Sequence, residues 1–316
     1  MNIFLDLGLL AFACWGISKC AQLVVNSVKQ ISKRAKISDF TLGFFVLGIA
    51  TSSPEFFIGV NSVIGGYPQL SLGNLIGGII VLLTLLMGVS AIYTGKISFK
   101  KTLSKNDFIL TGVLLLLPAV FLFDGGINRI EGLVLIGIYI GLFLLMNKEE
   151  TILEEIRDKV TLRSLKLAKL VIKVLAGIAG LIIFSKIIVE AALIFTKALN
   201  ISPLIVGLLL LSIGTNLPEL TLGFFAKSKD ENIAVGDFLG SAAANVLFIG
   251  LLATVYPFEV VSVNNIRVSL LIMIISILVF ITMVYRKNTI TRKDGIILLA
   301  IYAVFVVWEI VSSGIY

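Results

Sequence analysis

Histidine is absent from this 316-residue chain, cysteine occurs twice, and only 14% of the residues are charged. Without histidine, any metal or proton chemistry has to use oxygen groups, which favours hard cations such as calcium or sodium over zinc or copper. A Ser–His pair is excluded with it. Charge this scarce also rules out a water-soluble enzyme, since such domains run near 25% charged, whereas here 58% of the residues are hydrophobic and the mean hydropathy is +1.07. The two cysteines, Cys14 and Cys20, stand six apart on one apolar helix and point to different faces. They read as packing residues, not as a disulfide or metal pair.

What is present is long apolar sequence. A helix crossing the hydrocarbon core needs about 20 largely apolar residues, and runs broken by charge or by Gly, Pro and Asn predict ten spans, near 3–30, 39–65, 71–94, 106–124, 128–146, 166–197, 202–227, 233–255, 263–285 and 293–313. The expected fold is an all-α polytopic membrane protein. No basic segment with a small-residue cleavage site precedes the first run, so the N-terminus is expected to be mature. Of 26 basic residues, 21 fall on one side when both termini are placed outside, which the bias of cytoplasmic loops toward Lys and Arg predicts for a cell-membrane protein. The formal charge of +7 then reflects topology and anionic lipid, with no need of nucleic acid. The one long polar stretch, 147–173, reads as a solvated linker or short surface helix. It divides the chain into a first five-helix unit (1–147), a cytoplasmic loop (148–165) and a second five-helix unit (166–316).

The halves resemble each other. Setting Glu55 over Glu219 superposes Ile37-Ser38 on Ile201-Ser202, Gly43 on Gly207, Thr51 on Thr215, Pro54 on Pro218 and Gly59 on Gly223; with one residue removed, Gly73-Asn74-Leu75-Ile76-Gly77 falls on Gly236-Asp237-Phe238-Leu239-Gly240. Five spans is an odd number, so the second half enters from the opposite side and the repeats are inverted. Each centres on a Pro-Glu motif, Thr51-Ser52-Ser53-Pro54-Glu55 and Thr215-Asn216-Leu217-Pro218-Glu219. An ionised residue at mid-membrane costs at least about 2.5–3.5 kcal/mol on insertion scales and needs a partner. Lacking an N–H, Pro54 is expected to free the Ala50 carbonyl and Pro218 that of Gly214. Those carbonyls, the hydroxyls of Thr51, Ser52 and Thr215, and the two carboxylates compose an oxygen cage for a hard cation. Pairing of either glutamate with Lys19 or Lys186 is the plainer reading, but it leaves two copies of one motif unexplained. For Thr51 and Thr215 taken alone, back-bonding to a helix carbonyl is the plainer reading. The glycines at 73, 77, 78, 236 and 240 are sufficiently explained by close helix packing.

These motifs, the Gly-Asn/Asp-x-x-Gly segments after them, and the five-plus-five layout resemble the sodium/calcium exchanger family of the cation/calcium antiporter superfamily, closest to its small prokaryotic members. The resemblance implies calcium held by Glu55, Glu219 and the backbone carbonyls of Thr51 and Thr215, with flanking sodium sites served by Ser52 and Asn216, the latter in place of a serine. On the eighth helix Ser241 matches the family, while Asn245 stands where prokaryotic members commonly carry Asp. On the third, Gly78 and Leu82 replace the family's Ser and Asn and offer no side-chain ligand. The coupling ion therefore stays open between sodium and protons.

A calcium-exporting antiporter working by alternating access is the expected function, functional as a monomer because it builds its site from its own two halves, with no bound cofactor beyond the transported ions. A cation/proton exchanger for another cation is the alternative, as is a cation-binding member with degenerate sodium sites. A channel would form ligand rings by oligomerising, and an intramembrane protease would want a Ser–His pair, paired aspartates or a zinc motif.

Overall fold

The computed structural model describes residues 3–32, 42–99, 105–146, 165–217, 219, 231–260 and 263–312. Ten helices follow in chain order: α1 (Ile3–Ser32), α2 (residues 42–64), α3 (Pro68–Thr94), α4 (Lys105–Phe121, ending in a 3₁₀ turn Leu122–Asp124), α5 (Arg129–Met146), α6 (Leu165–Leu199), α7 (Pro203–Thr215), α8 (Glu231–Val255), α9 (Val263–Lys287) and α10 (Arg292–Ser312). Eight of them are long and apolar enough to cross a membrane, and a ninth is the bent α2, whose halves Phe44–Thr51 and Ser53–Ile64 meet at 48°. The expected seventh span, 202–227, is described only through its first half as α7. Of the expected cytoplasmic loop, 148–165, residues 148–164 lie outside the described residues, and Leu165 already opens α6.

Local sequence sets the helix ends. Pro68 and Pro203 open α3 and α7, where a missing N–H is harmless, and the Ser202 hydroxyl accepts from the Ile205 N–H at 3.3 Å. At α5, Asn128 Oδ1 accepts from the N–H groups of Ile130 and Glu131 (2.9 and 3.0 Å) while Glu131 Oε2 accepts from Asn128 N–H at 2.8 Å, a reciprocal capping box. One repeat length on, at α10, Asp294 Oδ2 accepts from Thr291 N–H at 2.9 Å and Thr291 Oγ1 accepts from Asp294 N–H at 3.5 Å.

Two short antiparallel pairs tie the loops. Strand β1 (Lys96–Ser98) pairs with β4 (Thr289–Thr291), with Ile97 opposite Ile290, and β2 (Gly126–Ile127) pairs with β3 (Phe258–Glu259), with Ile127 opposite Phe258. Because α4 runs from the loop after β1 to β2, the two pairs close opposite ends of the bundle. Each pair joins one loop from each half of the chain.

Helices α3 and α8 are the innermost, with 83% and 78% of their apolar windows buried, against 33% for α1 and 28% for α10. Large apolar side chains that remain exposed, among them Trp15, Ile130, Leu133, Ile183 and Val304, lie on the outer helices, as a lipid-facing surface requires. The core divides in two. The larger cluster draws on α2–α5 and α7–α10; the smaller is built around α1 and α6, through Ala13, Ile17, Leu181, Ile188 and Ala192, and reaches Ile58, Leu70 and Leu211 of the others. Cys14 and Cys20 are free thiols of this second cluster, against Gly214 and Gly180.

Small residues let the innermost helices touch along their backbones, as expected for the glycines at 73, 77 and 240. A Cβ on Gly77 would stand 2.5 Å from the Leu208 carbonyl oxygen of α7, and one on Gly240 would meet the Phe44 carbonyl of α2. The same doubling occurs farther out, where Gly132 meets Gly250 and Gly88 meets Gly295. Gly78 differs, because its open face points at a side chain and not at backbone.

Candidate cation site

The site begins with two interrupted helices. In α2 a π-helical turn, Leu42–Leu47, runs into a short α-helix, Gly48–Thr51; Ser52 leaves helical geometry at φ −80°, ψ 7°, and a second α-helix starts at Ser53. In α7 a π-turn at Gly207–Leu211 precedes Ser212–Thr215, and Asn216 departs in the same way at φ −89°, ψ 4°. Single π-turns inside helices gather at functional sites, because they re-aim side chains and loosen the carbonyl ladder. Here two of them sit immediately before the two Pro-Glu motifs.

The break places Pro54 in the first turn of the second segment, with Glu55 beside it at a helix N-terminus, where the macrodipole favours negative charge. The Ala50 carbonyl, expected to be free, is not: Ser53 Oγ donates to it at 2.7 Å. A hydroxyl just before the proline reaches back to the acceptor that the proline leaves open. Pro218 lies outside the described residues, and with it the expected release of the Gly214 carbonyl.

Glu55 and Glu219 are fully buried. Among the described residues neither oxygen of Glu55 has a hydrogen-bond partner, nor does Oε2 of Glu219, so Lys19 and Lys186 do not neutralise Glu55. Thr215 adjoins Glu55, and both Glu55 and Asp237 lie within Coulombic reach of Glu219. Halves 164 residues apart in sequence thus bring their carboxylates within Coulombic reach of one another in the interior.

Most of the other expected ligands are buried as well. Asn216 is buried, its Nδ2 donating to the Ser212 carbonyl at 2.8 Å while Oδ1 has no partner, which leaves an amide oxygen available. Ser52 Oγ lies 3.4 Å from the Ser241 carbonyl. Both threonine hydroxyls back-bond, Thr51 to Leu47 at 2.9 Å and Thr215 to Leu211 at 3.0 Å. Thr51 Oγ1 in addition meets Ser241 Oγ at 2.8 Å. Asn245 is buried with both amide atoms unpartnered, its Nδ2 2.6 Å from where a Gly78 Cβ would stand, and Asn216 Nδ2 is 3.5 Å from the same point. Asn245 therefore occupies the room that a side chain at 78 would need. Leu82 is buried and apolar.

Two polar residues escaped the sequence reading as ligands: Asp237 and its repeat counterpart Asn74. Both are buried; Thr51 Oγ1 is 3.0 Å from Asp237 Oδ1, and both amide atoms of Asn74 lack partners. The signal was there. Residues 237, 241 and 245 recur every fourth position, one stripe of α8.

Two buried glutamates, one from each of two matched halves of a multi-pass membrane protein, set the class within which the chain is to be compared. The family model described as sodium/calcium exchanger protein matches residues 5–147 and 169–311, and the chain belongs to that family. An uncharacterized membrane protein of Methanocaldococcus jannaschii is 29% identical over 87% of this chain and 88% of its own length. The sodium/calcium exchanger MaX1 of Methanosarcina acetivorans is 24% identical over 92% of this chain and 94% of its own. Among solved structures, the sodium-calcium exchanger NCX_Mj shares the fold at a TM-score of 0.70 and 23% identity, covering 97% of this chain and 99% of that one.

Proposed function

We propose that this protein is an antiporter that exports calcium across the cell membrane in exchange for sodium or protons. The observation that carries the proposal is the pair Glu55 and Glu219, fully buried, with both oxygens of Glu55 unpartnered among the described residues. Two carboxylates cannot both stay ionised side by side in a low-dielectric interior without a cation between them or protons upon them. Their joint charge matches one divalent ion, two sodium ions or two protons, which is the stoichiometric basis of exchange.

The ligand set comprises Glu55 and Glu219, the backbone carbonyls of Thr51 and Thr215, Ser52, Asn216, Ser241 and Asn245. Ten spans in two inverted five-helix repeats, 1–147 and 166–316 about a cytoplasmic loop, carry it, with both termini outside and the single chain as the working unit. Support for inversion comes from the loop pairs: β1–β4 at one end maps by one repeat length onto β3–β2 at the other. The separate α1/α6 cluster supports alternating access in which those two helices slide over the other eight. MaX1 and NCX_Mj, both named sodium/calcium exchangers, favour sodium as the returning ion.

Proton coupling, in a cation/proton exchanger, is the second reading. Gly78 and Leu82 of the third helix contribute no side-chain oxygen and Asn245 of the eighth carries no charge, so the sodium side is short of ligands.

Purified protein in proteoliposomes tests the proposal. An imposed sodium or pH gradient is expected to drive calcium flux that Glu55→Gln and Glu219→Gln each abolish. Failure of both gradients to move calcium would overturn it.

A further inference from the structure

Helices α1 and α6 carry polar side chains on their outward surfaces. Along α1 one exposed stripe runs through Phe12, Trp15, Lys19, Gln22, Asn26 and Gln30, apolar in its N-terminal half and polar from Lys19 onward. Along α6 the exposed Ile172, Leu175 and Ile183 precede the exposed Lys186 and Glu190, again apolar first and polar later. An offset of 164 residues, the one that superposes the two Pro-Glu motifs, sets Gln22 over Lys186 and Asn26 over Glu190, so the two polar halves are repeat counterparts. Ionisable residues inside spans ordinarily face the bundle interior or a water-filled cavity. Lys19, Lys186 and Glu190 turn outward instead.

Contacts between the two helices fix their relative levels. A Cβ on Gly180 would meet Cys20 Sγ, one on Gly177 would stand 3.1 Å from the Cys20 carbonyl oxygen and 3.5 Å from Val24 N, and Gly16 lies against Phe184. The helices are therefore antiparallel with Cys20 opposite Gly180, which sets Ser18 level with its own repeat counterpart, Ile182. At about 1.5 Å per residue, Gln22 and Lys186 lie about 6 Å to either side of that level and Asn26 and Glu190 about 12 Å, inside the half-thickness of about 15 Å of the hydrocarbon core. Lys19 is almost at the level itself. The polar half of α1 thus points toward one face of the membrane and that of α6 toward the other.

We infer that these two polar halves balance the α1/α6 pair between two positions in the bilayer. A shift of the pair by one turn, about 5.4 Å, toward the C-terminal end of α1 carries Lys19, Gln22 and Asn26 toward water and draws Lys186 and Glu190 into hydrocarbon. The opposite shift reverses both changes. Because the halves are matched, what one gains in hydration the other loses, and the two positions stay close in free energy. A polar stripe at one end alone would pin the pair to that face of the membrane. The inference rests on the reading in which α1 and α6 slide over the other eight helices, and it names what keeps that movement level; the ion site takes no part in it.

Trp15 supplies the readout, exposed on α1 three residues from Ser18 toward the N-terminal end, with Trp308 the other tryptophan of the chain. In the full chain carrying Trp308→Phe, reconstituted in vesicles without calcium or sodium, quenching by phosphatidylcholines brominated near the headgroup, at mid-chain or near the chain end measures the depth of Trp15. Lys186→Leu with Glu190→Leu removes the α6 half and is expected to bring Trp15 nearer the bilayer centre. Lys19→Leu with Gln22→Leu removes the α1 half and is expected to move it away from the centre, each shift being about 3–5 Å, up to one turn. Gln22→Leu with Asn26→Leu, or Glu190→Leu by itself, serves where a first choice does not insert. The four substitutions together should return Trp15 to the depth it has without them. The inference is overturned if neither half moves Trp15, if both move it the same way, or if the fourfold variant stays displaced. Calcium flux in the same vesicles, measured separately, reports on the exchanger reading: its absence in wild type defeats that reading and leaves the depth shifts to be judged by themselves, whereas calcium flux with an unmoved Trp15 defeats the balance alone.

Discussion

Gly78 and Asn245 occupy one space between them. A Cβ on Gly78 would stand 2.6 Å from Asn245 Nδ2, against a comfortable contact of about 3.5–4.0 Å, so Gly78→Ala is short by roughly 1 Å. Overpacking of that kind costs about 1–3 kcal/mol in a closed interior. The far end of a side chain can swing away, which places Gly78→Ala toward the lower half of the range. Asn245→Ala removes an amide with neither atom partnered, and an unpaired buried polar group itself costs about 1–3 kcal/mol; that gain offsets the cavity left, and the single variant should be close to neutral. In the double variant the clash is gone. The cycle of four proteins should therefore show a favourable coupling of about 1–2 kcal/mol, read from unfolding in detergent, ion-free and at one scan rate. Additivity within about 0.5 kcal/mol would refute the steric account of why position 78 is glycine.

The backbone contacts are less forgiving. Gly240→Ala puts a Cβ onto the Phe44 carbonyl, which cannot swing aside, and should cost about 3 kcal/mol, whereas Gly137→Ala, with open space around it, should be neutral or slightly stabilising; their Tm values compare the two directly. Glu131→Ala removes the reciprocal half of the α5 capping box and should lower stability by about 1 kcal/mol, with Asp294→Ala doing the same at α10. Ser53→Ala leaves the Ala50 carbonyl without its hydroxyl donor and should lower the ion-free Tm by the equivalent of about 1–2 kcal/mol; an unchanged Tm would show that the break in α2 does not depend on that bond.

Span lengths, the two-half organisation and the glutamate pair were legible in the sequence, because hydrophobic runs and intramembrane charge are local features. Contacts between distant residues were not. Nothing local says that the residue at 245 fills the space beside 78, 167 positions earlier. The π-turns before each motif lie against α8 and α3, and apolar residues such as Leu42–Leu47 carry no sign of them. Asp237 was visible but was taken as a marker of the repeat. Its fourfold spacing to Ser241 and Asn245 becomes informative once α8 is known to be one uninterrupted helix facing Thr51.

The central claim is that Glu55 and Glu219, one from each half, hold a single calcium ion together. Equilibrium calcium binding to the purified full chain by calorimetry tests it most directly, in wild type and in the single variants Glu55→Gln and Glu219→Gln. The account predicts that wild type binds one calcium ion at this pair and that each variant loses it, because neither half-site suffices by itself. Wild-type calcium affinity in either variant would contradict the shared cage.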